Sequence, residues 1–257
     1  MLAAERRERL LGLLDGSGHH RVVELADALG VSLSTVRRDL QRLHDHGQVA
    51  RVRGGAASHA PPRTPPDGQL PAKRSIGRRA AAEVEPGSTV MLLGGSTTLA
   101  MVPFLVDVPD LTVVTNGLDI AHALAHTAPR VTLLVTGGLV HRAQHTMVGA
   151  LAEDGLRGLH VDTLFAGAWG LTAEAGATGT KVGQAHRPRS RAGWWRHVDR
   201  LVLLCDASKI GRRGPVVLAG TEHISAVVTD GAAPGDELDR LRAHGISVSV
   251  VDGPHLS

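Results

Sequence analysis

Between Ser32 and Arg53 the sequence gathers short hydroxyls, an amide and several guanidinium groups: Ser32, Ser34, Thr35, Arg37, Arg38, Gln41 and Arg42, then Arg51 and Arg53 after Gly47. At about 100° per residue, Val36, Leu40 and Leu43 fall on one side of a helix that begins after Ser32 and runs to about His44. Ser34, Arg38 and Gln41 then lie opposite, with Thr35, Arg37 and Arg42 flanking. Such a face suits a major groove, where Arg can donate two bonds to guanine, Gln can bond adenine, and neighbouring residues grip phosphates. A solvated charged helix has the same composition, so the surrounding elements must decide.

A second polar set recurs where apolar runs end. The loops Gly94-Gly95-Ser96-Thr97-Thr98, Asn116-Gly117, Thr136-Gly137-Gly138, 167–170 and Asp206-Ala207-Ser208-Lys209 each follow such a run. In the first, two glycines allow close backbone approach, and the free N–H groups and hydroxyls of an opening helix suit an anion, most naturally a phosphate. The plainer alternative is that Ser96 or Thr97 only caps its helix. Lys209 offers a cation to the same pocket, or else pairs with Asp206 at the surface.

The elements that would position these residues are legible from punctuation and periodicity. Leu10, Leu11, Leu13 and Leu14 close a first helix near 16–18; Val22 to Leu29 form a second, stopped by Gly30; the third begins after Ser32 as N-cap. Helix, glycine-containing turn and helix make a helix-turn-helix, and the alternating stretch 48–55 suits a small hairpin or wing that carries Arg51 and Arg53 to the adjacent backbone or minor groove. Pro61, Pro62, Pro65, Pro66 and Pro71 make 58–72 a semi-rigid interdomain linker. Beyond it, Thr89–Leu93, Leu111–Thr115, Val131–Val135, Thr163–Ala166, Leu201–Cys205, Ile224–Thr229 and Ile246–Val251 read as strands alternating with helices, hence a parallel sheet covered on both faces. In such sheets ligands bind beyond the carboxyl ends of the strands. The expected organisation is an α/β protein: an N-terminal winged helix-turn-helix over 1–57, the linker, and a Rossmann-like domain over 73–257.

Composition narrows the function. Residues 1–79 carry 14 Lys+Arg against 8 Asp+Glu, whereas 80–257 carry 14 against 17: a basic front on an acidic body. With no Tyr and 2 Phe, stacking platforms for single strands are lacking, so any nucleic acid is read as duplex. One cysteine excludes an internal disulfide and a Cys-rich zinc site. No apolar run reaches the ~20 residues of a membrane span, and charges up to Arg9 replace the apolar core of a signal peptide, so a cytoplasmic chain is expected. Neither His19-His20 nor His44 with His46 forms a ligand set, and no metal or cofactor is called for.

Val22-Val23-Glu24-Leu25-Ala26, Leu29-Gly30-Val31-Ser32, Ser34-Thr35-Val36-Arg37-Arg38-Asp39-Leu40 and the wing Arg51-Val52-Arg53-Gly54-Gly55 resemble the N-terminal signature of the DeoR family of bacterial transcriptional regulators. Gly94–Thr98, Thr112–Asn116, Thr136–Gly138 and Cys205–Lys209 extend the resemblance over nearly the whole chain. It implies double-stranded operator DNA as partner and a sugar-phosphate-isomerase-like effector domain. It also implies a phosphorylated sugar or related metabolite as inducer and assembly into homodimers or homotetramers. Two positions depart from the family's pattern: Trp169 stands in Gly-Ala-Trp-Gly where a pocket carboxylate is usual, and Arg191 replaces a lysine, although a guanidinium still binds phosphate. The effector set is thus Gly94, Gly95, Ser96, Thr97, Thr98, Asn116, Gly137, Gly138, Trp169, Arg191 and Lys209. The expected function is a repressor relieved by a metabolite. A ligand-independent regulator is the alternative, and an isomerase, which needs a carboxylate base where Trp169 stands, is disfavoured.

Overall fold

Alternate residues of the central strands enter opposite cores, the pattern of a sheet buried on both faces. In the computed structural model, which describes residues 6, 9–10, 20–45, 49–52, 55–58, 70–179 and 198–252, this sheet has seven parallel strands. They are β4 (Thr89–Leu92), β5 (Thr112–Thr115), β6 (Thr132–Val135), β9 (Val161–Ala166), β12 (Val198–Leu204), β14 (Ala226–Asp230) and β15 (Ser247–Val251), in the order β15-β14-β12-β9-β4-β5-β6. All seven correspond to the runs read from sequence. The order runs outward in both directions from the β4–β9 pair, so the loops leaving these two strands diverge and leave a crevice at their carboxyl ends.

Val90, Leu92, Phe165, Val202 and Leu204 face one core, with Ile76 and Ala80 of α3 (Leu70–Ala81) and Ile120 and Leu124 of α5 (Leu118–Thr127). Met91, Leu93, Leu164, Ala166, Leu201 and Leu203 face the other. That second face is covered by Ala152 of α6 (Ala150–Asp154), by Leu238 and Leu241 of α7 (Gly235–Ala243), and by a small antiparallel sheet of β10 (Gly170–Thr172), β11 (Gly176–Gly179) and β13 (Val216–Ala219). Strand-and-helix alternation does not foresee this sheet, nor the hairpin of β7 (Leu139–His141) and β8 (Thr146–Val148). Strands of three or four residues are too short to display a period of two.

The chain divides into two compact units, Met1–Leu70 with Arg142–Gln144, and the remainder from Pro71. In the first, α1 (Val22–Leu29) and α2 (Leu33–Asp45) enclose a core of Leu10, Leu25, Ala26, Val36, Leu40 and Leu43. Gly30, at φ +63°, makes the turn between them, and Val31 N–H closes it on Ala26 O at 3.1 Å. The strands β1 (His20–Arg21), β2 (Val49–Val52) and β3 (Gly55–Ser58) form an antiparallel sheet in the order β1-β3-β2, in which β2 and β3 are the wing. The expected first-helix residues 11–18, Arg53, and 59–69 of the expected linker lie outside the described residues. At its two ends the linker expectation is corrected: Ser58 is paired in β3, and α3 already begins at Leu70. Pro71 falls in the first turn of that helix, where a missing N–H costs no intrahelical bond.

Candidate functional site

The third helix of the sequence reading is α2, and its two faces separate as the angular argument requires. Val36, Leu40 and Leu43 are buried, while Ser34, Arg37, Arg38, Gln41 and Arg42 are exposed and Thr35 is half-buried. Ser32 organises the start: its hydroxyl lies 2.9 Å from that of Ser34 and 2.8 Å from that of Thr35, and accepts from Thr35 N–H at 3.3 Å. This cap holds three hydroxyls together at the end of the helix that a major-groove reader presents to bases. Arg37 and Arg38 carry no ion pair among the described residues, so their guanidinium groups are open to a polyanion. Arg51 lies on β2, opposite Ala56 of β3.

One member of this helix escaped the sequence reading. Asp39 is 2% exposed, and its carboxylate accepts from Arg6 Nε at 2.6 Å, which holds the Arg6 guanidinium above the usual arginine range. An acidic residue one position beyond two arginines looks like part of the solvated face. Only the N-terminal partner reveals that it ties the segment before α1 to the flank of α2.

In the second unit the strand-end loops converge as expected, but their polar groups divide into two kinds. Some build the loops. Asn116, wholly buried, accepts from Gly94 N–H at 2.9 Å and donates to Met147 O at 3.1 Å, clipping the ends of β4 and β5 to β8. Thr98, also wholly buried in the short helix α4 (Ser96–Leu99), directs its hydroxyl to Leu93 O at 2.6 Å and Gly95 O at 2.9 Å. Gly94 is required by close approach, since a Cβ there would stand 2.4 Å from Thr146 Cγ2 and 3.0 Å from Gly117 Cα. Its neighbours are protein groups. Gly137 and Gly138, at φ +70° and +109°, form the turn from β6 to β7.

Others gather at the same turn without a role in closing the loops that the described contacts show. Ser96 and Gly95 are exposed, and Thr97 is 8% exposed. Lys73 Nζ donates to Ser96 Oγ at 3.1 Å, and the lysine is 7% exposed. Burial holds its ammonium below the ordinary lysine range; Asp206 pulls it back up and Lys209 pushes it further down, so these three charges share one neighbourhood. Lys209 is half-buried at the end of a single 3-10 turn, Ala207–Lys209, capped by Asp206, which accepts from Ser208 N–H at 3.1 Å and from the Ser208 hydroxyl. Among the described residues no ion pair joins Lys209 to Asp206. Trp169, after β9, donates its backbone N–H to Thr178 O at 3.0 Å, and the Arg212 guanidinium stacks 3.2 Å from its ring centroid. Arg191 lies outside the described residues.

Lys73 is the residue that sequence reading missed. Its signal was the spacing 73, 76, 77, 80, 81, which puts a lysine on the buried stripe of α3. Gly77 then brings the helix against the loop after α4, where a Cβ would lie 2.7 Å from Ala100 O. That approach is what carries Lys73 to Ser96.

A helix-turn-helix with an exposed basic reading face, followed by an α/β domain with cations gathered at its switch point, defines a transcriptional regulator with a sensor domain. Residues 6–61 match the DeoR-like helix-turn-helix domain and residues 69–231 the DeoR C terminal sensor domain, and the chain belongs to the DeoR family. It is 34% identical to the HTH-type transcriptional regulator GlpR of Haloferax volcanii, over 98% of this chain and 99% of that protein. It is 29% identical to the HTH-type transcriptional regulator GolR of Listeria innocua, over 98% and 100%. Among solved structures, ribose 5-phosphate isomerase A of Methanocaldococcus jannaschii matches 53% of this chain and 52% of its own, at 17% identity and a TM-score of 0.37. Among the described residues no helix is long and apolar enough to cross a membrane.

Proposed function

We propose that the chain is an operator-binding repressor, acting as a homodimer or homotetramer, whose DNA affinity falls when a phosphorylated metabolite binds at the carboxyl ends of β4 and β9. The observation that carries the DNA half is the exposed Arg37–Arg38 pair, without an ion pair among the described residues, beside Ser34 and Gln41 on α2 and backed by buried Val36, Leu40 and Leu43. Arg51 on β2, together with Arg53, adds contacts to the sugar-phosphate backbone. One reading helix per chain spans a single half-site, and pairing two copies doubles the contacts on a two-fold symmetric operator.

The effector half rests on Lys73, whose buried ammonium meets Ser96 at the Gly94–Ser96 turn, with Lys209 nearby. Two lysines and a hydroxyl at a glycine turn suit a dianion, whose charge would offset the cost of a buried cation. Thr97 and the N–H groups of Gly95 and Ser96 supply further donors; Gly137, Gly138 and Trp169 border the site on neighbouring loops, and the family resemblance assigns Arg191 to the same ligand. Asn116 and Thr98 shape the site and donate nothing to the ligand. Anisotropy titration of an operator fragment, selected by the protein from random duplexes, with and without phosphorylated metabolites, tests both halves. Selected duplexes without any metabolite response would favour a ligand-independent regulator.

A further inference from the structure

The two edges of the seven-stranded sheet are finished differently. At β15 serines alternate with valines, and Arg79 donates to Ser249 Oγ at 3.2 Å. At β6 the run is Thr132-Leu133-Leu134-Val135, with no charge, proline or bulge within the strand to blunt an open edge. Among the described residues no strand pairs with its outer side. Leu134 and Val135 are exposed, and so are Leu139 and Val140 of β7 and Leu151 of α6, at 65% for Leu139 and 71% for Leu151. These side chains share one surface, because α6 abuts the turn from β6 to β7: a Cβ on Gly138 would stand 3.0 Å from Ala152 Cβ, and one on Gly155 2.8 Å from Thr136 O. Their apolar exposure, on the order of 400 Å², approaches the apolar share of a standard interface of roughly 800 Å² per partner. Charge adds a direction. Arg130 is exposed just before the amino end of β6, and Asp154 is exposed beside its carboxyl end, next to Gly155. An antiparallel pair of β6 strands brings the Arg130 end of each copy onto the Asp154 end of the other, so the edge is complementary to itself.

We infer that β6, β7 and α6 form the surface on which a second copy of this chain docks, with β6 antiparallel to its counterpart so that the sheet continues across a two-fold axis. With Leu134 on the axis, Leu133 of each copy faces Val135 of the other, apolar against apolar. The inference rests on the homo-oligomer reading above and adds the face that pairs.

Analytical ultracentrifugation of the full chain over a range of concentrations tests the surface. Leu134→Lys and Leu139→Asp each place a charge at an exposed position of the patch; each should weaken self-association by about a hundredfold or more and leave the circular dichroism that of the parent. A tetrameric parent should fall to dimers, and a dimeric one to monomers. If the charged variants do not fold, Leu134→Cys serves. The one native cysteine, Cys205, is buried, and two copies of position 134 meeting at the axis stand within disulfide reach, so mild oxidation should link the copies into a covalent dimer that a thiol reductant reverses. A parent that self-associates together with charged variants that associate as tightly, or a Leu134→Cys chain that stays unlinked, would overturn this face while leaving the homo-oligomer reading standing. A parent that sediments as a monomer throughout would overturn both.

Discussion

The reading face of α2 and the strand-end loops of the sheet both present serines, threonines and basic residues, yet they use them differently. On α2 most polar side chains point outward, and the fold draws on Ser32 to cap the helix and on Asp39 to hold Arg6. At the strand ends the fold claims Asn116, Thr98, Asp206 and Gly94, and the proposed function assigns Ser96, Thr97, Lys73 and Lys209 to a ligand. A helix satisfies its backbone internally, so its surface side chains are free to serve a partner. A crevice where loops meet leaves backbone groups that side chains must satisfy before any ligand can be held.

This difference predicts opposite responses to mutation. The largest effect on stability should come from Asn116→Ala, which removes the side-chain partner of Gly94 N–H and of Met147 O and costs about 3 kcal/mol in denaturant unfolding. A cost near zero would return Asn116 to the ligand set. Thr98→Val keeps the shape and removes one hydroxyl shared by two carbonyls, so about 1–2 kcal/mol is expected by the same measurement. Lys73→Met should preserve the fold and abolish the operator's response to the metabolite. Its pH signature follows from linkage. The folded chain gives up the Lys73 proton at lower pH than the unfolded chain, so the parent gains stability as pH rises from that lowered value towards the ordinary lysine range. The Met variant should lack that gain in thermal melts across alkaline pH. The smallest effect concerns Cys205, buried on the face of the antiparallel layer with its thiol pushed up to about 12; a thiol reagent at neutral pH should leave it unmodified until the chain unfolds.

The sheet strands were legible because alternate burial on two faces imposes long apolar runs, and α1 because a glycine stops it. The outward face of α2 was legible because three apolar residues fix its angle. Roles within the strand-end loops were less so: Ser96 and Thr98 are two apart and chemically alike, and only the backbone path sends Thr98 inward to Leu93 O and leaves Ser96 beside Lys73. Lys73 itself lies 23 residues before Ser96, a pairing that no local motif contains. Trp169 stands out in the sequence by its type, but its stacking on Arg212 depends on β13 folding back beside β11.

The most direct measurement of the central claim is an operator titration with Arg38→Ala. The account predicts weaker binding by about 1–3 kcal/mol, a shallower dependence on salt if the lost contact is to phosphate, and a thermal unfolding curve that matches the parent, because Arg38 is exposed. Unchanged affinity for the selected operator would contradict it and remove α2 from the reading role.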